Sequence, residues 1–291
     1  MHNHHASRTA LQASTTALGA AAHRAAHQIR DGGAIFTDPL AVRILGADAE
    51  GALARAGQRT GLRFYLAARS RFAEDAALRA LADGTRQIVV LGAGLDTFAL
   101  RAPALEGLTI YECDQPASLA EKRRRLAAAG IEPPAHCRFA VLDLRAGGLV
   151  EALAAAGFEP DEDAFFLWLG VTPYLPPPTT FSVLAELAAL PGGVEIVFDY
   201  INPPQTIADA ATRRAHERLA ERVRQAGEPF CGALDSGSLH KHIATLQYDG
   251  VEDLGPAKIA ARYFPGARRG PRGGAGAHFI RLTRPGGARS A

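Results

Sequence analysis

The chain contains few cysteines: only Cys113, Cys137 and Cys231 occur in 291 residues. Their number is odd and no two of them have CxxC spacing, so the sequence predicts neither a disulfide framework nor a structural zinc site. Low cysteine usage of this kind is typical of a reducing compartment. We therefore expect a cytoplasmic protein without a bound metal.

Long hydrophobic runs and an excess of one charge are also missing. No stretch approaches about 18 uninterrupted apolar residues, and the start of the chain lacks a basic segment followed by an apolar run. Lys and Arg number 32 against 30 Asp and Glu, a formal net charge of +2. This balance does not give the basic field that binding to a phosphate backbone requires. We expect no membrane span, no signal peptide and no nucleic-acid partner.

The residues that are present predict an α/β protein. The hydrophobic fraction of 47% suffices for a sizeable core. Up to Asp83 the pattern is helical, with helices predicted at 11–30 and 60–81 and a turn at Phe36-Thr37-Asp38-Pro39. From Gln87 onward, short β-branched runs alternate with helical segments, which indicates a doubly wound sheet with ligand sites at the carboxyl ends of its strands. The predicted strands are 87–94, 108–114, 137–143, 164–170, 194–200 and 277–283, and the intervening helices are 116–129, 149–156, 179–190, 206–225 and 238–245. The Gly- and Pro-rich stretch 265–276 predicts a mobile loop.

A glycine turn, Gly92-Ala93-Gly94, follows the first predicted strand. Glycines there let the backbone approach a ligand closely, as in sites for dinucleotides and for S-adenosylmethionine. The dinucleotide pattern GxGxxG would require Gly or Ala at position 97, which is Thr97. Asp96 would compete with a pyrophosphate but would tolerate a cationic sulfonium. The turn therefore favours S-adenosylmethionine.

Carboxylates end the next two strands. Glu112 and Asp114 come 18 and 20 residues after Gly94, where a carboxylate can accept hydrogen bonds from both ribose hydroxyls of either cofactor. Asp143-Leu144 ends the third strand, where Asp143 either accepts from an adenine amino group or merely caps the following loop. The basic run Lys122-Arg123-Arg124-Arg125 is interpreted as a solvated helix face.

Motifs along nearly the whole chain resemble the leucine carboxyl methyltransferase-like family of class I S-adenosylmethionine-dependent methyltransferases, including its bacterial members of unassigned substrate. The resemblance implies a Rossmann-like, mostly parallel seven-stranded sheet. It also implies an N-terminal helical cap at 1–84 and a methyltransferase domain at 85–291, with a helical insertion at about 201–243. The motifs are the helix 16–25, Phe36-Thr37-Asp38-Pro39, Ala68-Arg69-Ser70-Arg71-Phe72, Gly92-Ala93-Gly94-Leu95-Asp96, Glu112-Cys113-Asp114-Gln115-Pro116, Leu142-Asp143-Leu144, Gly170-Val171-Thr172-Pro173-Tyr174 and Gly227-Glu228-Pro229-Phe230.

The resemblance also implies which residues bind the cofactor. Arg69 would pair with its carboxylate, a role that suits the guanidinium fork. The methionine portion would meet the backbone of Gly92, Ala93 and Gly94, the ribose would meet Asp114 beside Gln115, and the adenine would meet Asp143 and Leu144. One position departs from the family: its fourth strand commonly ends Trp-Glu-Gly-Val-Thr, whereas here the residue after Trp168 is Leu169. Either Asp96 or backbone carbonyls compensate for that carboxylate, or affinity for the cofactor is weakened.

The family's cofactor implies methyl transfer to a nucleophile. A carboxylate is ionised at neutral pH and needs no general base, and no histidine lies in a recognisable triad, so we favour carboxyl O-methylation of a small molecule. Candidate substrate donors are Tyr174, Tyr200 and Tyr263. One alternative is O-methylation of a hydroxyl on a polyketide-like secondary metabolite, with His216, His240 or His242 as the base. Another is a binding protein that has lost catalysis, as the change at Leu169 would allow.

Overall fold

The structure is a computed structural model that describes residues 3–225, 227, 229–265 and 276–286. Residues 266–275 of the predicted loop and Glu228 of the Gly227–Phe230 motif lie outside the described residues.

Helices occupy most of the chain before the first strand, as the sequence predicts. They are α1 (Asn3–Arg30), α2 (Ala41–Leu45), α3 (Ala49–Gly57) and α4 (Thr60–Ala82). The alanine-rich face of α1 packs against α2, α3 and α4, and small side chains such as Ala25 and Ala26 are fully buried in this contact. The buried face of α4, which includes Phe72 and Ala76, packs against β4 and β5 of the sheet described below. The domain boundary at residue 84 stays a prediction.

Seven strands form one sheet in the order β3-β2-β1-β4-β5-β7-β6. The first five strands along the chain pair in parallel, whereas β7 is antiparallel to both β5 and β6. The sheet is therefore mixed, with its parallel part formed by β1–β5. The strands are β1 (Gln87–Leu91), β2 (Thr109–Asp114), β3 (Cys137–Val141), β4 (Ala164–Trp168), β5 (Val194–Ile201), β6 (Gly250–Leu254) and β7 (Ala277–Arg284).

Helices cover both faces of the sheet and produce two apolar layers, one on each side. The sequence did not predict β6 or α11. The strand β6 is a short edge strand with the polar sequence GVEDL, of which only Leu254 is buried. The helices after β1 are α5 (Phe98–Arg101), α6 (Pro116–Ala128), α7 (Leu149–Ala155), α8 (Pro177–Ala188), α9 (Ala210–Gln225), α10 (Ser236–Ile243) and α11 (Pro256–Tyr263).

The interpretation of Lys122 to Arg125 as a solvated helix face is confirmed for Arg123 and Arg124, which are exposed, and is wrong for Lys122 and Arg125. Lys122 is fully buried, with Nζ 2.7 Å from Oε2 of the fully buried Glu112. Arg125 is also buried and donates to the carbonyl of Leu45 over 2.9 Å. Lys122 of α6 thus contacts the carboxylate of Glu112 on β2, and Arg125 contacts the end of α2. Glu112 consequently faces α6.

Candidate active site

A cavity of about 870 Å³ lies at the carboxyl ends of β1 to β5. This volume is within the range of small-molecule and cofactor sites. The ends of the five strands and the loops that follow them form one part of its lining, and α1, α3, α4 and α9 form the rest. The strand order reverses between β1 and β4, where doubly wound sheets place their ligands.

The glycine turn after β1 lies at this reversal point and lines the cavity. Gly92 and Gly94 have φ of +69° and +43°, a region that side-chain-bearing residues rarely adopt. A Cβ atom on Gly92 would collide with the side chain of Val171, and one on Gly94 would lie 3.1 Å from Cβ of Ala17 in α1. The backbone of Gly92 and Gly94 therefore lines the cavity, because neighbouring side chains leave no room for a Cβ atom at either position.

Asp114 lies beside the turn, at the end of β2. Its Oδ2 accepts from the backbone N–H of Gly94 and its Oδ1 from that of Gln115, both over 2.7 Å. Burial raises the pKa of Asp114 above its ordinary value, against the lowering effect of these two bonds. The side chain of Ser118 also hydrogen-bonds this carboxylate, which leaves one of its roughly four acceptor sites free. Both Asp114 and Gln115 line the cavity. The carboxylate is thus held in place by the backbone with acceptor capacity to spare.

Asp143 and Leu144 follow β3 and line the same cavity. Oδ1 of the exposed Asp143 accepts from the backbone N–H of Arg145 over 3.0 Å, so the loop-capping role expected as one alternative is present. Its Oδ2 is able to accept from an adenine amino group, so the other alternative stays a prediction.

Arg69 projects from α4 into a buried polar group centred on Asp199. Its Nη1 donates to Oδ2 of Asp199 over 2.9 Å, and the hydroxyl of Tyr65 donates to the same oxygen over 3.2 Å. Burial would lower the pKa of Arg69, but Asp199 outweighs it and the pKa is raised. Nε of Arg69 is buried without a hydrogen-bond partner in the described parts of the chain. Arg69 is thus a permanent cation with an unused donor.

Sequence reasoning missed Asp199, which lines the cavity at the end of β5. Trp168 pairs with Phe198, so the next residues, Leu169 and Asp199, lie side by side near the carboxyl ends of β4 and β5. Oδ1 of Asp199 accepts from the backbone N–H of Gly170 over 2.5 Å. A carboxylate near the end of an apolar strand, like Asp114 on β2, was the available signal. Asp199 supplies a negative charge one strand away from the position where Leu169 lacks one.

Two other residues weighed from the sequence have local roles. Asp96 lines the cavity, and its Oδ1 accepts from the backbone N–H of Phe98 over 2.7 Å at the start of α5. Trp168 is fully buried and packs on Phe198, as expected for a core residue.

Of the three candidate tyrosines, only Tyr174 lines the cavity, where its ring packs against Phe230. The prediction for Tyr200 is wrong. Tyr200 is fully buried and its hydroxyl donates to Oδ2 of Asp253 over 2.6 Å, outside the cavity. Successive side chains of a strand point to opposite faces, so Asp199 faces the cavity and Tyr200 does not. Tyr263 likewise lies on α11, away from the cavity.

The structure separates the three histidines proposed as bases. His216, on α9, lines the cavity. His240 instead contacts Asp253 over 2.7 Å, and His242 stacks on Phe181, so neither faces the site. A further histidine, His23 of α1, does line the cavity, and burial together with Arg59 and Arg63 lowers its pKa to about 4.

Within the described residues, no three His, Cys, Asp or Glu side chains group together as metal ligands would. The described helices likewise include none that is both long and apolar enough to cross a bilayer.

A doubly wound sheet with a glycine turn and a strand-end carboxylate at its reversal point defines a Rossmann-like α/β protein with a nucleoside-type site. Residues 17–188 match the model of the leucine carboxyl methyltransferase family. The chain belongs to this family.

Two relatives agree with this assignment. The chain is 42% identical over 123 residues to a protein of Saccharopolyspora erythraea, covering 42% of each chain. It is 34% identical over 165 residues to YktD of Bacillus subtilis, covering 56% of this chain and 54% of the relative. Both relatives are provisionally named S-adenosyl-L-methionine-dependent methyltransferases. The matches span about half the length of these relatives.

The fold also matches that of a solved structure from Thermobifida fusca, provisionally named a methyltransferase. The TM-score is 0.53 at 17% identity, over 84% of this chain and 92% of the other. At this level of identity the likeness concerns the fold.

Proposed function

We propose that the protein is an S-adenosylmethionine-dependent O-methyltransferase that methylates a carboxylate of a small molecule. The observation that carries the proposal is the pairing of Asp114 with the N–H of Gly94 at the reversal point of the sheet. This pairing sets a fixed carboxylate beside exposed backbone in a chain of the leucine carboxyl methyltransferase family.

The cavity residues fit the chemistry of the cofactor. The turn from Gly92 to Gly94 offers backbone that a Cβ would block, which suits a methionine moiety lying against it. The remaining acceptor site of Asp114 suits a ribose hydroxyl. Arg69 keeps a buried Nε donor without a partner, which suits a carboxylate, while Asp199 orients its guanidinium from the other side. Asp143 and Leu144 are left for the adenine.

When bound, S-adenosylmethionine supplies a methyl group activated by the positive sulfur. The chain's task is then to hold the acceptor oxygen in line and to exclude water, since an ionised carboxylate needs no base. Positioning of this kind can supply roughly 7–11 kcal/mol of the barrier. The helices α1, α3 and α9, which line the cavity together with the strand ends, are the elements that would do this.

The distribution of histidines supports the carboxylate over the hydroxyl acceptor. Hydroxyl methylation requires a base with a pKa near neutrality. His240 and His242 are outside the cavity, and the pKa of His23 lies near 4, too low for that task. His216 alone of the proposed bases lines the site, so the hydroxyl alternative now depends on this residue.

Methyl transfer from radiolabelled S-adenosylmethionine to a fractionated extract of small metabolites tests the proposal. A carboxyl methyl ester releases its label as volatile methanol in mild alkali, whereas a methyl ether keeps it. We expect an alkali-labile product. An alkali-stable product whose formation requires His216, judged by His216→Gln, would support the hydroxyl alternative. Tight cofactor binding with no labelled product in any fraction would support the binding protein.

A further inference from the structure

Charges are segregated across the cavity. All carboxylates among its described lining residues lie near the carboxyl ends of the strands or in the loops that follow them: Asp96, Asp114, Asp143 and Asp199. A second part of the lining, the basic wall, is formed by α1, α3, the start of α4 and α9; it contributes Arg55, Arg59 and Arg222 and no acidic side chain among the described lining residues. Arg145 is a basic lining residue beside the carboxylates, where it donates to the carbonyl of Tyr174.

Arg59 and Arg222 line the same cavity from different elements, Arg59 just before α4 and Arg222 on α9. Burial, and then the positive charges of Arg59 and Arg218, lower the pKa of Arg222. Neither Arg59 nor Arg222 forms an ion pair with a carboxylate in the described part of the chain, although Arg224 on the same helix pairs with Glu221 over 2.6 Å. Two unneutralised guanidiniums held near each other create a field that attracts an anion.

His23 of α1 also belongs to the basic wall, and the positive charge of Arg59 contributes, after burial, to lowering its pKa. Its side chain is 5% exposed, and its Nδ1 is buried with no hydrogen-bond partner among the described residues. A buried polar atom without a partner is costly, and a ligand can satisfy it. Because the pKa of His23 is about 4, the ring is neutral at pH 7 and offers a hydrogen bond without adding charge.

This basic wall is separate from the position proposed for the cofactor carboxylate. Arg59 directly precedes α4 and Arg69 lies within it. At 1.5 Å per residue, ten residues place their backbones about 15 Å apart along the helix axis. Arg69 is also held by Asp199, whereas Arg59 has no ion-pair partner among the described residues, so the two arginines can serve different anions.

We infer that the methyl acceptor carries a second anionic group, carboxylate or phosphate-like, which Arg59 and Arg222 bind beside His23 while the first carboxylate is methylated. The inference rests on the proposed function, because it concerns the acceptor end of the same cavity. It narrows the substrate to small molecules with two separated anionic groups. Arg59 and Arg222 then act as specificity determinants.

Calorimetric titration of the full chain saturated with S-adenosylhomocysteine tests this inference. The probes are α,ω-dicarboxylates of four to twelve carbons, the matching ω-phosphonocarboxylates, and the matching monocarboxylates. Exposed ion pairs are individually weak, so two of them together predict a preference of about fivefold to tenfold for the best dianion over its monoanion at low salt. A larger preference in the dicarboxylate series would identify the second anionic group as a carboxylate, and a larger preference in the phosphonocarboxylate series would identify it as phosphate-like.

The variant R59Q/R222Q should lose this preference and keep its affinity for S-adenosylhomocysteine. Both side chains are exposed, so the fold should survive, and R224Q is the matched control on the same helix. The inference is overturned if no dianion in either series exceeds its monoanion, or if R59Q/R222Q retains the preference. Failure of S-adenosylhomocysteine itself to bind would instead count against the proposed function.

Discussion

Replacing Asp114 by Asn should weaken the binding of S-adenosylhomocysteine by about 5- to 12-fold. Both oxygens of Asp114 already accept a backbone N–H over 2.7 Å, and the carboxylate also accepts from the side chain of Ser118, which leaves one of its roughly four acceptor sites for a ribose hydroxyl. A hydrogen bond to a charged group contributes about 1–1.5 kcal/mol more than one to a neutral group. Loss of the charge at this bond therefore costs roughly 1–1.5 kcal/mol, and every 1.4 kcal/mol corresponds to a tenfold change in affinity.

The Asn side chain must also turn its NH₂ toward either Gly94 or Gln115, where it opposes a backbone donor. The apo variant should consequently unfold at a lower temperature than the unmodified chain. Calorimetric titration measures the affinity, with Asp161→Asn in the exposed loop before β4 as the control for the loss of one carboxylate. Because burial raises the pKa of Asp114, affinity in the unmodified chain should start to fall on acidification at a higher pH than an exposed aspartate would dictate. A change in affinity below threefold would refute the placement of the ribose.

Three further predictions concern stability. Lys122→Met should lower the free energy of unfolding, measured in urea, by about 3–5 kcal/mol, since it leaves the Glu112 carboxylate buried and uncompensated. Adding Glu112→Gln should restore much of the lost free energy of unfolding. Gly92→Ala should be more destabilising than Gly130→Ala, because both positions have positive φ but only the first would place a Cβ against another side chain; equal losses in urea unfolding would contradict this. For His23, with a pKa of about 4 when folded and 6.5 when unfolded, the unfolded chain binds more protons between these values. Stability should therefore fall by about 3 kcal/mol as the pH drops from 6.5 to 4, and His23→Gln should flatten that slope.

The parallel part of the fold was predictable because its strands are apolar runs with clear boundaries. QIVVL and AFFLW are fully buried as β1 and β4, and the alternation with helices fixes the architecture. Edge elements gave no comparable signal. The strand β6 is half polar because one of its sides has no neighbouring strand, and Lys122 looked like a surface residue because its partner Glu112 lies on a strand distant in the sequence.

The site was predictable where it depends on local geometry and not where it depends on long-range packing. Gly92 and Gly94 come just after β1 and Asp114 ends β2, so the sequence alone indicates that they lie close together at one edge of the sheet. Tyr200 and Asp199 are adjacent in the same strand, and choosing between them requires knowing which face of the sheet meets α4. Contacts between helices far apart in the chain, such as Arg59 beside Arg222, have no signature in the sequence.

Parallel calorimetric titrations of the purified chain with S-adenosylhomocysteine and with NAD⁺ test the central claim most directly. The acidic strand ends around the glycine turn predict saturable, one-to-one binding of the adenosyl compound and no detectable heat from the diphosphate nucleotide. Binding of NAD⁺ with no response to S-adenosylhomocysteine would contradict the assignment of this cavity.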